Sequence, residues 1–257
     1  MTAIPPPLTS WSKHPQNRCV PDEIPAYWQK SEVITFLADT GMYDASQYHT
    51  LDAAEKERVL QFKSAYFKKR FVVSHSILRH ILHHIPGTGN RADMLMQEKN
   101  GRIRVRDRPD IFVSLSYSGS CIAVSVGKRK IGSDIERVRL MELRKIRSSP
   151  LVDSLPSGNG KADNQRLLHL WTLLEAYAKF HDMSVYPLTQ DRFFLPDTQF
   201  VSYCIDRHAI VSLAYEGIPL KDTLLWMDPG CGLASWGAEE KAACLPLLPD
   251  GDTYVRA

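Results

Sequence analysis

The sequence predicts an α+β protein, because strand-like and helical patterns occupy separate blocks of the chain. Residues 32–37 form an apolar run typical of a strand, whereas residues 53–85 and 166–180 have helical periodicity. Short apolar runs follow each helical block. This order of strand, helix, strands, helix and strands predicts two similar α+β lobes, compatible with a duplicated unit, although no close internal sequence repeat is present.

Four parts are predicted along the chain. Residues 1–30 form an irregular, proline-rich leader, residues 31–120 an N-terminal lobe, and residues 121–217 a C-terminal lobe. Residues 218–257 form a tail rich in Pro and Gly, which we expect to pack on the lobes.

The first helical block begins with a capping signal. Asp52 is followed three residues later by Glu55, the spacing of a capping box. We expect the helix over residues 53–85 to break once, near residues 66–69. Its later apolar positions should face a core; they are Ile77, Leu78, Ile81, Leu82 and Ile85.

Strands are predicted at residues 111–116, 121–126 and 131–136, and again at 200–204 and 209–215. The runs at 121–126 and 131–136 are separated by a short turn, so we expect them to form a hairpin. Residues 150–164, rich in Ser, Gly, Pro and Asn, are expected to form a loop.

Composition narrows the classes of protein. The net charge of +3 is too small to indicate nucleic-acid binding but suits an anionic small molecule or an acidic partner. No apolar run approaches the roughly 20 residues of a membrane span, and no secretory signal is visible. Five scattered cysteines without a C-x-x-C pair fit a reducing compartment. We therefore expect a cytoplasmic protein. A monomer is predicted as well.

Two pairs of charged residues are candidates for chemistry. Asp134 and Glu136 lie two apart on a predicted strand, so both carboxylates project from one face and could hold Mg²⁺ together with substrate phosphates. Glu175 and Lys179 lie one helical turn apart and share a face. By themselves, these pairs favour a solvated strand edge and an ordinary surface ion pair over a functional site.

A polar turn adds a third candidate. Residues 116–119, S-Y-S-G, follow a predicted strand, and hydroxyl and backbone N–H groups at such a turn can bind phosphate. Two other patterns are set aside. The S-H-S sequence at residues 74–76 lies inside a predicted helix, and His80 and His84 share a helix face without a third metal ligand nearby.

The order of these motifs resembles the Sfp-type 4′-phosphopantetheinyl transferase family. The family has a strand ending S-H-S-G, a G-[V/I]-D-I-E strand about fifteen residues later, and a helix W-[ST]-x-K-E-[AS]-x-x-K. Here the corresponding segments are L-S-Y-S-G at 115–119, G-S-D-I-E at 132–136 and W-T-L-L-E-A-Y-A-K at 171–179. The resemblance covers about residues 32–215.

The resemblance implies transfer of phosphopantetheine from coenzyme A to a serine of an acidic acyl or peptidyl carrier protein. Coenzyme A would lie in a cleft between the lobes, and adenosine 3′,5′-bisphosphate would be released. Mg²⁺ would be held by Asp134, Glu136 and Glu175. Glu175 would accept the serine proton, and Lys179 would stabilise the pyrophosphate. The implied coenzyme A ligands are Arg58, Lys69, Arg70, Arg102, Ser116 and Tyr117.

The chain departs from the family pattern at three motif positions, and at one of them Ser133 replaces a β-branched residue. Tyr117 stands where the family usually has histidine, and Leu174 stands where it has lysine. Leu174 continues the apolar stripe of its helix, so we expect it to be buried. Two alternatives stay open: a weak or inactive relative that binds coenzyme A or a carrier protein without transfer, and an unrelated α+β scaffold.

Overall fold

The computed structural model describes the parts of the chain that position the candidate site. These are residues 18–19, 21–43, 50–88, 94–98, 101–139, 161–185, 188, 198–205, 209–217, 220 and 222–227. All ten predicted site residues fall within them. Most of the predicted leader, residues 150–160 of the predicted loop and residues 228–257 of the predicted tail lie outside the described residues. Residues 161–164, predicted as the end of that loop, are instead helical.

The described part of the chain contains four α-helices, two short 3-10 helices (Pro21–Glu23 and Thr40–Met42) and ten strands. The helices are α1 (Ile24–Lys30), α2 (Ala53–Gln61), α3 (Ala65–His83) and α4 (Lys161–His181). The strands are β1 (Arg18–Cys19), β2 (Val33–Asp39), β3 (Leu95–Gln97), β4 (Ile103–Val105), β5 (Phe112–Ser118), β6 (Cys121–Gly127), β7 (Gly132–Arg137), β8 (Thr198–Ile205), β9 (Ala209–Glu216) and β10 (Asp222–Met227). The predicted mixed α+β class is confirmed.

The strands form two sheets. The larger has seven strands in the order β1-β10-β2-β6-β5-β4-β3. Strands β1, β10 and β2 run parallel to one another, and the remaining pairings are antiparallel. The smaller sheet has the order β7-β9-β8 and is antiparallel throughout.

The hydrophobic clusters show four stacked layers, in the order α3, larger sheet, smaller sheet and α4. One face of the larger sheet packs on α3, where Phe36 and Val124 meet Ile77 and Ile81. A second cluster joins Val33, Leu37 and Ala123 of the larger sheet to Ile135 and Val211 of the smaller.

The opposite face of the smaller sheet covers α4. There Ala214 of β9 packs against Ala176 and Phe180. Because alternate residues of these strands point into two different cores, the strands are apolar at nearly every position.

The first helical block breaks once, as predicted, but earlier than expected. Helix α2 ends at Gln61 and α3 begins at Ala65, so the break lies at residues 62–64 rather than 66–69. The predicted capping box is confirmed: Asp52 Oδ1 accepts from Glu55 N, and Glu55 Oε2 accepts from Asp52 N. Asp52 therefore fixes the start of the helix that carries Arg58.

The predicted hairpin between residues 121–126 and 131–136 is wrong. Strand β6 pairs with β5 on one edge and with β2 on the other, so neither edge is available to β7. Strand β7 instead joins the smaller sheet and pairs with β9. Its Ile131 flank and Ile135 are buried between the two sheets, which favours stacking of β7 against the larger sheet.

The division into lobes at residue 120 stays a prediction. Residues 119–120 lie in the turn of the β5–β6 hairpin, and β10, which falls in the predicted tail, pairs with β2 in the larger sheet. Within the described part of the chain, no helix is both long and apolar enough to cross a membrane.

Candidate active site

A glycine brings β7 against α4. A Cβ atom at Gly132 would lie 2.0 Å from the Ala176 carbonyl oxygen and 2.4 Å from Phe180 N, so a larger residue cannot be accommodated without moving the helix. This contact places the next outward residues of β7, Asp134 and Glu136, beside the face of α4 that carries Glu175 and Lys179. The same close contact explains why the first residue of the G-S-D-I-E segment, Gly132, is a glycine.

Asp134 is buried and held on one side. Its Oδ1 accepts from Ser116 Oγ at 2.6 Å and from Lys179 Nζ at 2.8 Å. Its Oδ2 is buried without a hydrogen-bond partner among the described residues. Buried carboxylate oxygens are normally paired, so this oxygen is a candidate ligand for a cation.

Glu136 lies two residues further along the same face and is also buried. Its Oε2 accepts from Ser118 Oγ at 2.5 Å and from Arg139 Nη2 at 2.9 Å. Burial raises the pKa of Glu136, and the charge of Asp134 raises it further, whereas Ser118 and Arg139 lower it.

Glu175 faces the same carboxylates from α4. Burial raises the pKa of Glu175, and the negative charges of Asp134 and Glu136 add to the rise, while Lys179 opposes it. The three carboxylates therefore lie close enough to repel one another. Lys179 partly offsets this charge through its bonds to Asp134 and to the Ser133 carbonyl oxygen at 3.1 Å.

The residues present fit a Mg²⁺ ion only in part. No group of three or more His, Cys, Asp or Glu side chains in the described ranges is arranged as a ready-made metal cage. Mg²⁺ does not require one, since it is usually held by one or two carboxylates and substrate phosphates. The unpartnered Asp134 Oδ2 and the repelling carboxylates fit that mode of binding.

A cavity of about 610 Å³ opens beside this cluster. Five predicted site residues line it, namely Arg58, Arg70, Arg102, Tyr117 and Lys179. Lys179 joins the cavity to the carboxylates, because the same ammonium group bonds Asp134. Most of the other lining side chains are apolar or aromatic, including Phe62, Phe67, Phe71, Ile103 and Met183.

Arg70 is held by aromatic rings. Its guanidinium carbon lies 4.7 Å from the ring centroid of Tyr117, 4.9 Å from that of Phe67 and 5.6 Å from that of Tyr66. Cation–π contacts orient the guanidinium without using its N–H groups, which stay able to meet an anion.

Tyr117 is itself anchored by Ser74, with 3.0 Å between their hydroxyl oxygens. Burial raises the pKa of the Tyr117 phenol, so the group is neutral at pH 7 and can donate a hydrogen bond.

The remaining predicted ligands differ in placement. Arg102 is ion-paired to Asp182 just after α4, and Lys130 Nζ lies 3.4 Å from the same carboxylate. Lys69 is half-buried on α3 and does not line the cavity. The hydroxyl of Ser116 bonds Asp134 and is buried, with 2% of the residue exposed.

Sequence reasoning missed Asp182 and Phe67, and it assigned Ser118 to a phosphate-binding turn, whereas Ser118 lies within β5. Ser118 bonds Glu136, Asp182 pairs with Arg102, and Phe67 packs on Arg70. Alternation of serines along residues 114–118 was a visible signal for Ser118, and the three-residue spacing of Phe67 and Arg70 on α3 was one for Phe67. The pairing of Asp182 with Arg102 joins segments 80 residues apart, so no local pattern indicates it.

The S-H-S sequence at residues 74–76 lies within α3, as predicted. Its His75 nevertheless lines the cavity and bonds Glu55 at 2.6 Å.

Comparison with known proteins gives one informative similarity. The chain is 26% identical over 114 residues to the 4′-phosphopantetheinyl transferase psf-1 of Bacillus pumilus. The match covers 43% of this chain and 49% of the relative, so it spans about half the length of that protein. No family model matches the chain. The similarity is to a phosphopantetheinyl transferase, in agreement with the order of motifs along the sequence.

Proposed function

We propose that this protein is a Mg²⁺-dependent 4′-phosphopantetheinyl transferase that uses coenzyme A. The observation that carries the proposal is the position of Lys179, which lines the cationic cavity and bonds Asp134 at 2.8 Å. The Lys179 side chain thus connects the cavity, where phosphates would bind, to the cluster of three carboxylates. The similarity to a phosphopantetheinyl transferase supports the same reaction.

Coenzyme A would place its negatively charged end in the cavity. Arg58 and Arg70 line the cavity beside the rings of Phe71 and Phe67, and their guanidinium groups are suited to phosphate. Tyr117 would donate to the 3′-phosphate region in place of the imidazole that the family usually has. Lys69 and Arg102 would add positive charge from the margins of the site, and the aromatic rings would pack against the remaining ligand.

The pyrophosphate would lie next to β7 and α4. Asp134, with Glu136 or Glu175, would hold Mg²⁺ there together with the phosphates, and Ser116 would keep Asp134 oriented. When bound, Mg²⁺ supplies positive charge that offsets the charge on the leaving phosphate. Positioning and charge supply most of the rate in phosphoryl transfer, so a rigid carboxylate pair suits this reaction.

The protein's side chains would move the proton. The carrier serine oxygen forms a bond to the phosphorus that carries pantetheine, and the bond from that phosphorus to adenosine 3′,5′-bisphosphate breaks. Glu175 accepts the serine proton as the general base. Lys179 stabilises the leaving group and can return a proton to it.

An acidic acyl or peptidyl carrier protein would be the acceptor. The net charge of +3 on this chain favours association with such a partner.

The direct test is incubation of the purified protein with coenzyme A, Mg²⁺ and several apo carrier proteins, followed by intact-mass measurement. We expect at least one carrier protein to gain one phosphopantetheine group. Asp134→Ala should abolish the transfer while leaving the circular dichroism spectrum unchanged, because it removes the oxygen that would meet the cation.

A matched control is Glu98→Gln, which alters an exposed carboxylate paired with Arg104. This variant should transfer at the wild-type rate. Wild-type turnover in Asp134→Ala would remove Asp134 from the site. Coenzyme A binding without modification of any carrier protein would instead favour a binding protein that has lost transfer.

A further inference from the structure

Three serines at alternate positions of β5 join the larger sheet to the smaller. They are Ser114, Ser116 and Ser118, all buried. Their hydroxyl oxygens accept the backbone N–H groups of β7 in a regular register, each from the residue 19 positions later. The distances are 2.9 Å from Ser133 N to Ser114 Oγ, 3.0 Å from Ile135 N to Ser116 Oγ, and 2.9 Å from Arg137 N to Ser118 Oγ.

These side-chain hydrogen bonds take the place of the backbone hydrogen bonds that join neighbouring strands of one sheet. Strand β7 is the edge of its sheet, with β9 on one side and β5 of the other sheet on the opposite side. Buried N–H groups on such an edge need partners. Serine side chains reach where the β5 backbone does not, so they satisfy these groups and fix β7 relative to β5.

Ser116 and Ser118, but not Ser114, also donate a hydrogen bond to a carboxylate. Ser116 Oγ donates to Asp134 Oδ1 at 2.6 Å, and Ser118 Oγ donates to Glu136 Oε2 at 2.5 Å. Ser114 has no carboxylate opposite it; its hydroxyl lies 3.5 Å from the Ser133 carbonyl oxygen.

Each hydroxyl has a single proton. Once the oxygen of Ser116 or Ser118 has accepted an amide proton, its own proton is directed at the carboxylate.

We infer that Ser116 and Ser118 are positioning residues that set the orientation of Asp134 and Glu136 for a divalent cation. Ser116 fixes Oδ1 of Asp134, so the rotamer is set and Oδ2 remains as the oxygen available to a cation. The inference rests on the proposed function for its consequence in transfer. It also gives Ser116 a different task from the phosphate contact expected from the sequence.

The test compares Ser116→Ala and Ser118→Ala with Ser114→Ala. All three remove a hydroxyl that accepts from β7, but only the first two remove a bond to a carboxylate. Mn²⁺ affinity in the presence of coenzyme A is measured by electron paramagnetic resonance, and kcat and KM for an apo carrier protein are measured separately. Melting temperatures report the common structural loss.

We expect Ser116→Ala and Ser118→Ala to lower Mn²⁺ affinity and kcat about 10-fold or more, the usual effect of losing a residue that orients a metal ligand. KM for the carrier protein should stay near the wild-type value. Ser114→Ala should change Mn²⁺ affinity less than about 3-fold, because the loss of one hydroxyl–amide bond acts mainly on stability. Ser118→Thr, which keeps the hydroxyl, should recover most of the Mn²⁺ affinity.

Equal losses of Mn²⁺ affinity in all three alanine variants would overturn the inference, because the serines would then act only through the fold. Wild-type affinity in Ser116→Ala and Ser118→Ala would overturn it as well. If the wild-type protein binds Mn²⁺ with the predicted serine dependence but modifies no carrier protein, the positioning role stands and the proposed function fails.

Discussion

The carboxylate side and the cation side of the site are built differently. On the carboxylate side, β7 touches α4 through Gly132, and Asp134 is fixed by buried hydrogen bonds. On the cation side, Arg58 and Arg70 rest on aromatic rings at 4.7–5.6 Å. Hydrogen bonds between buried groups are directional, whereas ring contacts tolerate displacement. We therefore expect substitutions on the carboxylate side to reduce stability and activity more than substitutions on the cation side.

The largest expected effect is that of Gly132→Ala. The added Cβ would meet backbone atoms of α4 at 2.0 and 2.4 Å, so the helix must move and Glu175 and Lys179 must move with it. We expect a loss of about 3 kcal/mol or more in the free energy of unfolding, beyond the usual cost of overpacking, together with loss of transfer. Urea unfolding followed by circular dichroism measures the first, and intact mass the second.

Gly41→Ala is the control for this substitution. Its added Cβ would approach the Asp39 side chain at 3.1 Å, a contact that a shift of a few tenths of an ångström in this side chain relieves. The free energy of unfolding should change by less than about 1 kcal/mol. A Gly132→Ala protein with wild-type stability and activity would show that the close contact between β7 and α4 does not fix the carboxylate side.

Leu174→Lys tests whether α4 keeps its orientation without the lysine of the family motif. Leu174 is 1% exposed and packs with Leu170, Tyr177 and Leu188, which confirms the predicted burial. A lysine there would bury a charge, so we expect the free energy of unfolding to fall by about 3 kcal/mol. Leu174→Met, which conserves volume, should cost less than about 1.5 kcal/mol. An unchanged melting temperature in the lysine variant would contradict the buried position.

Buried histidines on α3 and α4 predict that the folded protein loses stability at acidic pH. Burial lowers the pKa of His80 on α3 to about 4, helped by His83 and His84, and burial lowers that of His169 on α4 to about 4. Between the ordinary pKa of 6.5 and pH 4, the unfolded chain binds protons that the native state does not, so stability falls as pH falls.

Each histidine should contribute about 2–3 kcal/mol to the loss over this range. Urea unfolding at pH 7, 5.5 and 4.5 measures it. His169→Gln should lose less stability than the wild type between pH 7 and 4.5. Parallel curves for the two proteins would show that His169 titrates normally in the native state.

The smallest effect is expected on the cation side, at Tyr117. Tyr117→Phe keeps the ring against Arg70 but loses the hydroxyl, so the preference for coenzyme A over 3′-dephospho-coenzyme A should fall about 3- to 10-fold. Tyr117→His should keep or raise the affinity for coenzyme A. Calorimetric titration with both ligands measures these preferences. If the Phe variant and the wild type discriminate equally, Tyr117 does not contact the 3′-phosphate.

Local patterns in the sequence determined the elements and the faces of the candidate residues. The two-residue spacing of Asp134 and Glu136 placed both on one face of β7. Helical spacing placed Leu174 in the core and left Glu175 facing the carboxylates. These inferences held because the periods of strands and helices are set by backbone geometry, which each segment carries within itself.

Only the tertiary structure decided which segments meet. The sequence suggested that residues 121–126 and 131–136 pair, yet β2 and β5 occupy both edges of β6. Nor did it place Lys179 on Asp134 or the Ser116 hydroxyl on the same carboxylate. Partner choice depends on competition among distant segments for the same edges and core space. That competition leaves no local pattern, so the assembled site lay beyond what the sequence alone determined.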